Sequence, residues 1–479
     1  MSRELPRRTA LKGLTALAGA ASLGGVSACG RSAPPGSTER TELTGQVVRP
    51  DDPDYASARR YWDELFDSSP RALVFCRNTE DVVNALRYAR ENDIPFRARS
   101  GRHSLEGWSS VDDGITIDVS SLKSVEIDPQ AMTATVGTGL TQGELVDALA
   151  PYGFPTGDEA TVGLGGLILG GGIGLFCRRM GVACDNLLSA ELVIPEGDSG
   201  ARIVRADAER NTDLLWACRG GGGGNFGIAT EYELRIHRIP EQLGTWQVRW
   251  PLDALARVLD TWQRWAPAAD ERLSSVFNAQ RASPSLTVGG TFLGPADQVR
   301  RMVGPLLQIP GADFEVAAMS YVDYFHAENA NPRRFRRAKY TPMWVHDPLP
   351  PQAREQISAM IADAPSPDCS FWALSWGGAV RRPPEHGAAW YWRDPIFYAE
   401  PGATWNGAEA DSAHIAWIEQ FRGALQPFFH GGYVNVPDRS IADWGAEYYG
   451  AHFDRLRAVK AEYDPHEVFT FEQSIPPLR

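Results

Sequence analysis

Three stretches of the chain combine residue types that can hold an anion or a flat ligand. They are Arg99-Ser100-Gly101-Arg102-His103-Ser104, a glycine run from Thr161 and Val162 through Gly163, Gly165, Gly166, Gly170, Gly171 and Gly172 to Gly174, and a second run at 222–227 with Gly224 and Asn225. Backbone N–H groups in such turns can face one anion. Glycines also let the backbone approach a ligand closely, because no side chain intervenes. The stretches therefore predict a flat or phosphorylated ligand.

Each stretch also has a simpler explanation. The run at 222–227 satisfies G-x-G-x-x-G, but a helix-like segment precedes it and a strand follows it, which is the reverse of a dinucleotide-binding motif. The run at 161–174 is also compatible with close packing of backbone on backbone. A lone histidine such as His103 is usually structural.

The elements around these stretches indicate a mixed α and β architecture. Residues 72–99 are predicted to form a β-α-β unit, with Thr79 capping its helix. Thr141 and Glu144 form the pattern of a capping box at the start of another helix. After Pro240 the composition becomes richer in aromatic residues. There we expect strands at 276–277, 286–292 and 369–376, a helix from Leu252 to Trp262 and another over 296–307.

Composition limits the function classes. The chain has 479 residues and a formal net charge of −13, which disfavours nucleic acid as a partner. Its six cysteines form no C-x-x-C pair and its nine histidines no H-E-x-x-H, so no metal site is predicted. No stretch reaches the roughly 18 apolar residues of a membrane-spanning helix. The length favours two domains.

Taken together, the motifs resemble those of the FAD-linked oxidases of the vanillyl-alcohol oxidase type, and among them the berberine-bridge-enzyme-like branch. The family pattern R-S-G-G-H-S corresponds to residues 99–104, and its glycine-rich patterns correspond to 162–174 and 219–227. Asp185 matches the aspartate of R-x-x-G-x-x-x-D. Near the C-terminus, Tyr433-Val434-Asn435 and Gln473-Ser474-Ile475-Pro476 match as well. The resemblance covers roughly residues 50–479.

The resemblance implies an α+β fold. An FAD-binding domain of the PCMH type would span 45–240, and a substrate domain with an antiparallel sheet covered by helices would span 241–430. Residues 431–479 would complete the FAD domain. The resemblance also implies FAD as cofactor. The residues expected to bind it are those of the three stretches together with Asp185, Ile228 and Asn435.

In this family the motif histidine is bonded to the flavin 8α-methyl carbon, which implies a covalent bond through His103. Members with two covalent bonds carry a cysteine where this chain has Glu159, so a single bond is expected. Arg102 replaces the second glycine of the family's first motif, a departure that could distort the turn or add a charge beside the diphosphate.

The resemblance also implies hydride transfer from an alcohol or amine carbon to the flavin, with dioxygen as the second substrate. A base must remove the proton. The family's usual tyrosine and glutamate are replaced by Val436 and Ala399. Tyr433 is therefore the first candidate base, followed by Glu400 and Tyr398, and a tyrosine base needs a lowered pKa.

The first 36 residues resemble an export signal. Arg7 and Arg8 form a twin-arginine pattern ahead of a weakly apolar run. Val26-Ser27-Ala28-Cys29 resembles a lipobox, which predicts a lipid on Cys29 as the link to the membrane. We therefore expect an exported protein at the outer face of the cytoplasmic membrane or in the cell envelope.

Three functions remain open from the sequence. The first is an oxidase acting on a small molecule, with a secondary metabolite favoured over a sugar. The second is a surface lipoprotein that keeps the fold and binds a ligand without turnover. The third is a flavin dehydrogenase that does not use dioxygen.

Overall fold

The computed structural model describes residues 42–283, 285–330 and 336–479. These residues belong to one compact unit that begins at Thr41. The predicted export signal and Cys29 lie outside the described residues. In the part of the chain that is described, no helix is long and apolar enough to cross a membrane.

The α-helices range from single turns to four turns in length. In chain order they are α1 (Tyr55–Ala58), α2 (Thr79–Glu91), α3 (Gln142–Leu149), α4 (Leu164–Leu167), α5 (Cys177–Met180), α6 (Thr212–Cys218), α7 (Leu255–Trp265), α8 (Val299–Met302), α9 (Gly304–Leu307), α10 (Tyr321–Glu328), α11 (Pro351–Ala362), α12 (Asp411–Leu425), α13 (Trp444–Tyr449) and α14 (Phe453–Tyr463).

A four-stranded sheet contains the strand that leads into the His103 turn. It consists of β1 (Gln46–Val48), β2 (Ala72–Phe75), β3 (Phe96–Arg99) and β4 (Ile115–Asp118), in the order β1-β2-β4-β3. Strands β2 and β3 both run parallel to β4, which lies between them. The helix of the predicted β-α-β unit is confirmed as α2. Its N-cap is Asn78, which accepts from the Asp81 N–H, and the prediction of Thr79 was wrong by one residue.

A five-stranded antiparallel sheet follows. Its strands are β5 (Val125–Asp128), β6 (Thr133–Gly137), β8 (Leu187–Glu196), β9 (Gly200–Ala206) and β10 (Ile228–Arg235), in the order β5-β6-β10-β8-β9, and β7 (Tyr152–Gly153) pairs with β11 (His237–Arg238) beside it. The predicted capping box of Thr141 and Glu144 is present at the start of α3. Helix α14 packs against α6, which itself packs on this sheet, and Leu456 and Tyr463 share a buried cluster with Tyr232 and Leu234.

An eight-stranded antiparallel sheet is formed by the aromatic-rich part of the chain. Its strands are β12 (Leu243–Pro251), β13 (Val276–Gln280), β14 (Ser285–Phe292), β15 (Asp313–Met319), β16 (Arg337–Tyr340), β17 (Met343–Val345), β18 (Ser370–Ser375) and β19 (Phe397–Trp405). The order is β15-β12-β14-β13-β18-β19-β16, and β17 also pairs with β19. One face packs against helices that include α7 and α11, burying Trp262, Phe277 and Ile357. The predicted α+β class is confirmed.

One predicted helix is interrupted. Residues 296–307 were expected to form a single helix, but α8 ends at Met302 and α9 begins at Gly304. Pro305 has no N–H with which to continue the hydrogen-bond ladder, and this accounts for the break.

Candidate active site

The turn that carries His103 begins at the end of a buried strand. Arg99 is the last residue of β3, and its side chain forms a fully buried ion pair with Asp118 at 2.6 Å. The same guanidinium donates to the Ala58 carbonyl at 2.8 Å. Arg99 therefore ties the start of the turn to the sheet and to α1.

The backbones of two of the predicted stretches are in close contact. A Cβ atom on Gly101 would overlap the Gly163 backbone, and one on Gly163 would overlap Gly101 and the Ser100 hydroxyl. Ser100 in turn donates to the Thr138 carbonyl at 2.9 Å. Both glycines are required by this close approach, which brings the Arg99–Ser104 turn against the start of α4.

His103 is held on two sides. Its Nε2 lies 2.8 Å from the Thr161 hydroxyl, and its ring stacks on Trp62 with 5.1 Å between centroids. The backbone N–H of Trp62 donates to the Arg102 carbonyl at 3.1 Å. Sequence reasoning missed Trp62, because it belongs to none of the motifs and lies 41 positions before His103 in the chain.

The motifs converge on a cavity of about 360 Å³. The predicted site residues that line it are Arg99, Ser100, Gly101, Arg102, His103, Ser104, Val162, Gly163, Gly165, Gly166, Gly224, Ile228, Glu400, Tyr433 and Asn435. They come from all three stretches, from β10 and β19 and from the C-terminal segment. The C-terminal segment contributes Thr470, Phe471 and Gln473 to the wall as well.

Other predicted residues support the cavity without lining it. A Cβ atom on Gly170 would overlap the Asn435 side chain, and one on Gly171 would overlap the Trp390 ring. Gly172 lies in the same way against Ala183, and Gly174 against Thr156. For these four glycines, close packing is the role that the structure displays, as the alternative interpretation of this run held. Thr161 does not line the cavity itself, and it contacts His103, which does.

Asp185 and Asn225 brace the loops around the cavity. Asp185 is buried and pairs with Arg393 at 2.8 Å. Asn225 accepts from the Ile475 N–H at 2.9 Å, and its own carbonyl accepts from the Lys460 ammonium at 2.6 Å. These contacts fasten the second glycine run to the C-terminal segment.

Four buried polar atoms in the cavity wall fit a polar ligand. The Trp62, Trp108, Arg99 and Ser109 side chains each have one buried atom, namely Nε1, Nε1, Nη1 and Oγ, without a hydrogen-bond partner among the described residues. All four residues line the cavity. Such atoms are costly unless they are paired. Phosphate and hydroxyl oxygens of FAD are suitable acceptors for them, so the residues present fit that cofactor.

Arg102 adopts a left-handed backbone conformation, with φ at +66°. The family's glycine at this position matches that requirement, because only glycine adopts it without steric cost. The Arg102 side chain donates to the Ser57 carbonyl at 3.2 Å, and burial lowers its pKa. Arg102 therefore adopts a backbone conformation that favours glycine, and its guanidinium lies in the cavity wall.

Tyr433 lies on the C-terminal segment, far along the chain from the Arg99–Ser104 turn, and it lines the cavity. Its hydroxyl accepts from the Gly172 N–H and from the Asn435 amide, both at 2.9 Å. Burial raises the pKa of Tyr433 above its usual value. The lowered pKa that a tyrosine base needs is not found, because the side chain is fully enclosed and burial outweighs both hydrogen bonds.

Glu400 and Tyr398 form a pair on β19. The Tyr398 hydroxyl donates to the Glu400 carboxylate at 2.9 Å. Tyr398 is buried behind the cavity, and burial raises its pKa well above the usual value. Glu400 lines the cavity itself. A carboxylate held in this way can accept a proton from a ligand.

A second cavity, of about 640 Å³, lies on the face of the eight-stranded sheet opposite α7 and α11, and Tyr321 and Phe325 of α10 also line it. Thr245, Gln247, Asn278 and Thr287 line it together with Trp372. Gly157 and Glu159 line both cavities, so the two are adjacent. Polar side chains around Trp372 suit a flat molecule that carries hydrogen-bonding groups.

Comparison with known proteins identifies the family. Residues 70–199 match the model of an FAD binding domain, and residues 432–476 match the family model described as berberine and berberine like. The uncharacterized FAD-linked oxidoreductase YvdP of Bacillus subtilis is 41% identical over 92% of this chain and 99% of its own length. The chain belongs to the berberine-bridge-enzyme-like family of FAD-linked oxidoreductases. It is therefore an FAD-dependent enzyme, and the alternative of a ligand-binding lipoprotein without turnover is set aside.

Other members of this family are more distant. The (R)-6-hydroxynicotine oxidase of Paenarthrobacter nicotinovorans is 28% identical over 91% of the chain and 97% of its own length. Among solved structures, the berberine-bridge-like 1 protein of Physcomitrella patens has a TM-score of 0.85 at 25% identity, with 91% of this chain and 98% of that one covered. Aclacinomycin oxidoreductase has a TM-score of 0.82 at 26% identity, with 90% and 99% covered.

Proposed function

We propose that this enzyme is an exported oxidase that carries FAD covalently on His103 and oxidises an alcohol or amine carbon of a small molecule. The observation that carries the proposal is the placement of His103 on the wall of a cavity built from the glycine motifs and from unpaired buried donors. A single covalent bond to the flavin is consistent with Glu159, because this residue has no thiol that could form a second bond.

FAD, when bound, supplies the acceptor for a hydride and passes the electron pair to dioxygen, which becomes hydrogen peroxide. The protein contributes orientation and proton removal. Glu400 accepts the proton of the substrate hydroxyl or amine, and Tyr398 holds the carboxylate by its hydrogen bond. Tyr433 is an anchor in this proposal and not a base, because its hydroxyl connects Asn435 to the Gly172 backbone.

The second cavity and two of the relatives support a proposal for the substrate class. One relative is named as an oxidase of 6-hydroxynicotine, and another, from Arabidopsis thaliana at 26% identity, as a monolignol oxidoreductase. Both names denote small aromatic molecules. Trp372 and the polar side chains near it support a ligand of that kind here. We propose a secondary metabolite with an oxidisable alcohol or amine in preference to a free sugar.

We also propose that the protein is exported and attached to the membrane by a lipid. Arg7 and Arg8 support export by the twin-arginine route, and Cys29 supports a lipid anchor. The cofactor site draws on residues from 62 to 473, so the chain must be folded to hold FAD, and that route is understood to carry folded proteins.

The decisive experiment is anaerobic flavin bleaching against a panel of aromatic alcohols and amines, followed by admission of air. Oxidase activity predicts that one class bleaches the flavin and that air restores the yellow colour with release of hydrogen peroxide. Bleaching that air does not reverse, but an artificial electron acceptor does, would instead identify a dehydrogenase. A flavin that no panel member reduces would contradict the proposed substrate class.

A further inference from the structure

A hydrogen-bonded chain leads from His103 to a carboxylate. The Thr161 hydroxyl lies 2.8 Å from His103 Nε2, and it donates its proton to Glu159 Oε1 at 2.9 Å. A carboxylate accepts only, and the threonine hydroxyl has one proton. With that proton committed to Glu159, the threonine oxygen must accept from Nε2–H. In the neutral ring the lone pair then resides on Nδ1.

The loop that carries both residues is fixed in place. The Gln142 amide donates to the Glu159 carbonyl at 2.8 Å, and the Ala160 N–H donates to Asn329 at 2.9 Å. The Thr141–Gly163 bridge lies next to these contacts. A loop held from α3 and α10 keeps the Thr161 hydroxyl at one position relative to the imidazole.

We propose that Glu159, acting through Thr161, is a positioning residue for flavin attachment: it keeps His103 in the Nε2–H tautomer, so that Nδ1 forms the bond to FAD. This inference rests on the proposed covalent linkage. It assigns a role to the residue that stands where doubly linked relatives have a cysteine. The hydrogen-bond partner of one ring nitrogen determines which nitrogen of the histidine is nucleophilic. Hydrogen-bond partners select the tautomer of metal-binding histidines in the same way.

The bond-forming step balances as follows. Nδ1 forms a bond to the flavin 8α-methyl carbon, and one C–H bond of that methyl group breaks. The methyl proton leaves to solvent, and the Nε2 proton leaves along the hydrogen bond to Thr161. The electron pair passes through the isoalloxazine to dioxygen, which takes up two protons and becomes hydrogen peroxide. Each attachment therefore consumes one dioxygen.

The experiment measures covalent attachment and not turnover. Full-length protein is produced without flavin and mixed with FAD in air, and the flavin that remains with acid-precipitated protein is followed over time. Thr161→Val and Glu159→Ala should slow attachment by about tenfold or more, in line with losses seen when a histidine's second partner is removed. Thr161→Ser, which keeps the hydroxyl, should restore the wild-type rate. Asp158→Asn removes a neighbouring carboxylate and should leave the rate unchanged.

Proton NMR of the flavin–histidine product identifies the linked nitrogen. Wild type should give the Nδ1 adduct alone, and Glu159→Ala should give a mixture, because Thr161 is then free to donate to Nε2. If wild type attaches FAD and both Thr161→Val and Glu159→Ala do so at the same rate, this inference is wrong while the covalent linkage stands. If wild type releases all its flavin in acid, the covalent linkage itself is refuted, and the inference with it.

Discussion

The Trp62 indole stacks on the His103 imidazole, with ring centroids 5.1 Å apart and an angle of 27° between the planes. Trp62 is buried, and the chain that carries it is joined to the His103 turn by the hydrogen bond to the Arg102 carbonyl. The stack covers one face of the imidazole and leaves its edges for polar contacts. The histidine is thus oriented by an aromatic surface as well as by a hydrogen bond.

His103→Ala should abolish covalent flavin. Wild type is expected to give a yellow acid precipitate, whereas the variant should release all its FAD into the supernatant, because no other residue of the turn is a comparable nucleophile. The measurement is flavin absorbance of pellet and supernatant. Ser104→Ala serves as a control in the same turn and should keep a yellow pellet. A yellow pellet from His103→Ala would show that the bond lies elsewhere.

Glu400→Gln and Tyr433→Phe should separate two roles. If Glu400 is the base, its loss should slow anaerobic flavin reduction by about 10²-fold, the lower range for general-base help. Tyr433→Phe should affect that rate less. It should instead lower the free energy of unfolding by about 1–3 kcal/mol, because it leaves the buried Gly172 N–H unpaired. Rapid mixing measures the rate of flavin reduction, and chemical denaturation measures the free energy of unfolding. A larger loss of reduction rate in Tyr433→Phe than in Glu400→Gln would identify Tyr433 as the base.

Arg102 should carry a measurable conformational cost. At φ +66° any residue with a Cβ is strained, so Arg102→Gly should be more stable than Arg102→Ala by about 1 kcal/mol. Both variants lose the same guanidinium, so the difference isolates the backbone conformation. Chemical denaturation of the two proteins gives the comparison. Equal stability would mean that the turn adopts another conformation in solution.

Asp63 should make stability depend on pH near neutrality. Burial raises its pKa to about 7, above the unfolded value near 4. The folded chain then binds this proton more tightly than the unfolded chain, so the stabilisation is complete below about pH 4 and is lost as the pH rises through 7. Asp63→Asn should flatten that part of the stability profile, while Glu64→Gln, next to it and exposed, should not. An unchanged profile in Asp63→Asn would assign the dependence to another group.

Replacing both Arg7 and Arg8 with lysine should block export, if the signal is of the twin-arginine type. The precursor should accumulate inside the cell in a folded, flavin-containing form. Cell fractionation and in-gel flavin fluorescence make the measurement, and lipid on Cys29 can be sought by metabolic labelling with a fatty acid. Normal export of the double variant would exclude this route.

The parts of the fold that were predictable are those with local signals. The capping box at Thr141 and the helix ending near Trp262 follow from residues a few positions apart. The glycine motifs pointed to the cavity, because Gly101 and Gly163 tolerate no side chain where they meet. The cysteines at positions 76, 177, 184, 218 and 369 are buried free thiols.

The unpredicted parts depend on contacts distant in sequence. Trp62 reaches His103 only once β3 and α1 are in place, and no spacing rule signals that stack. The raised pKa of Tyr433 could not be predicted, because the burial of its side chain depends on Trp390 and Tyr398, which lie on other parts of the chain. Likewise, nothing local distinguishes a phosphate-binding glycine from one that packs on Trp390.

The contacts that fasten Asn225 to Lys460 and Ile475 have a consequence for biosynthesis. A growing chain in which Phe471 and Gln473 have not yet been synthesised lacks part of the cavity wall. We therefore expect the flavin to be enclosed only after that segment has been made. A stop codon introduced before position 471 would leave the first 430 residues intact and would still remove Phe471 and Gln473 from the cavity wall.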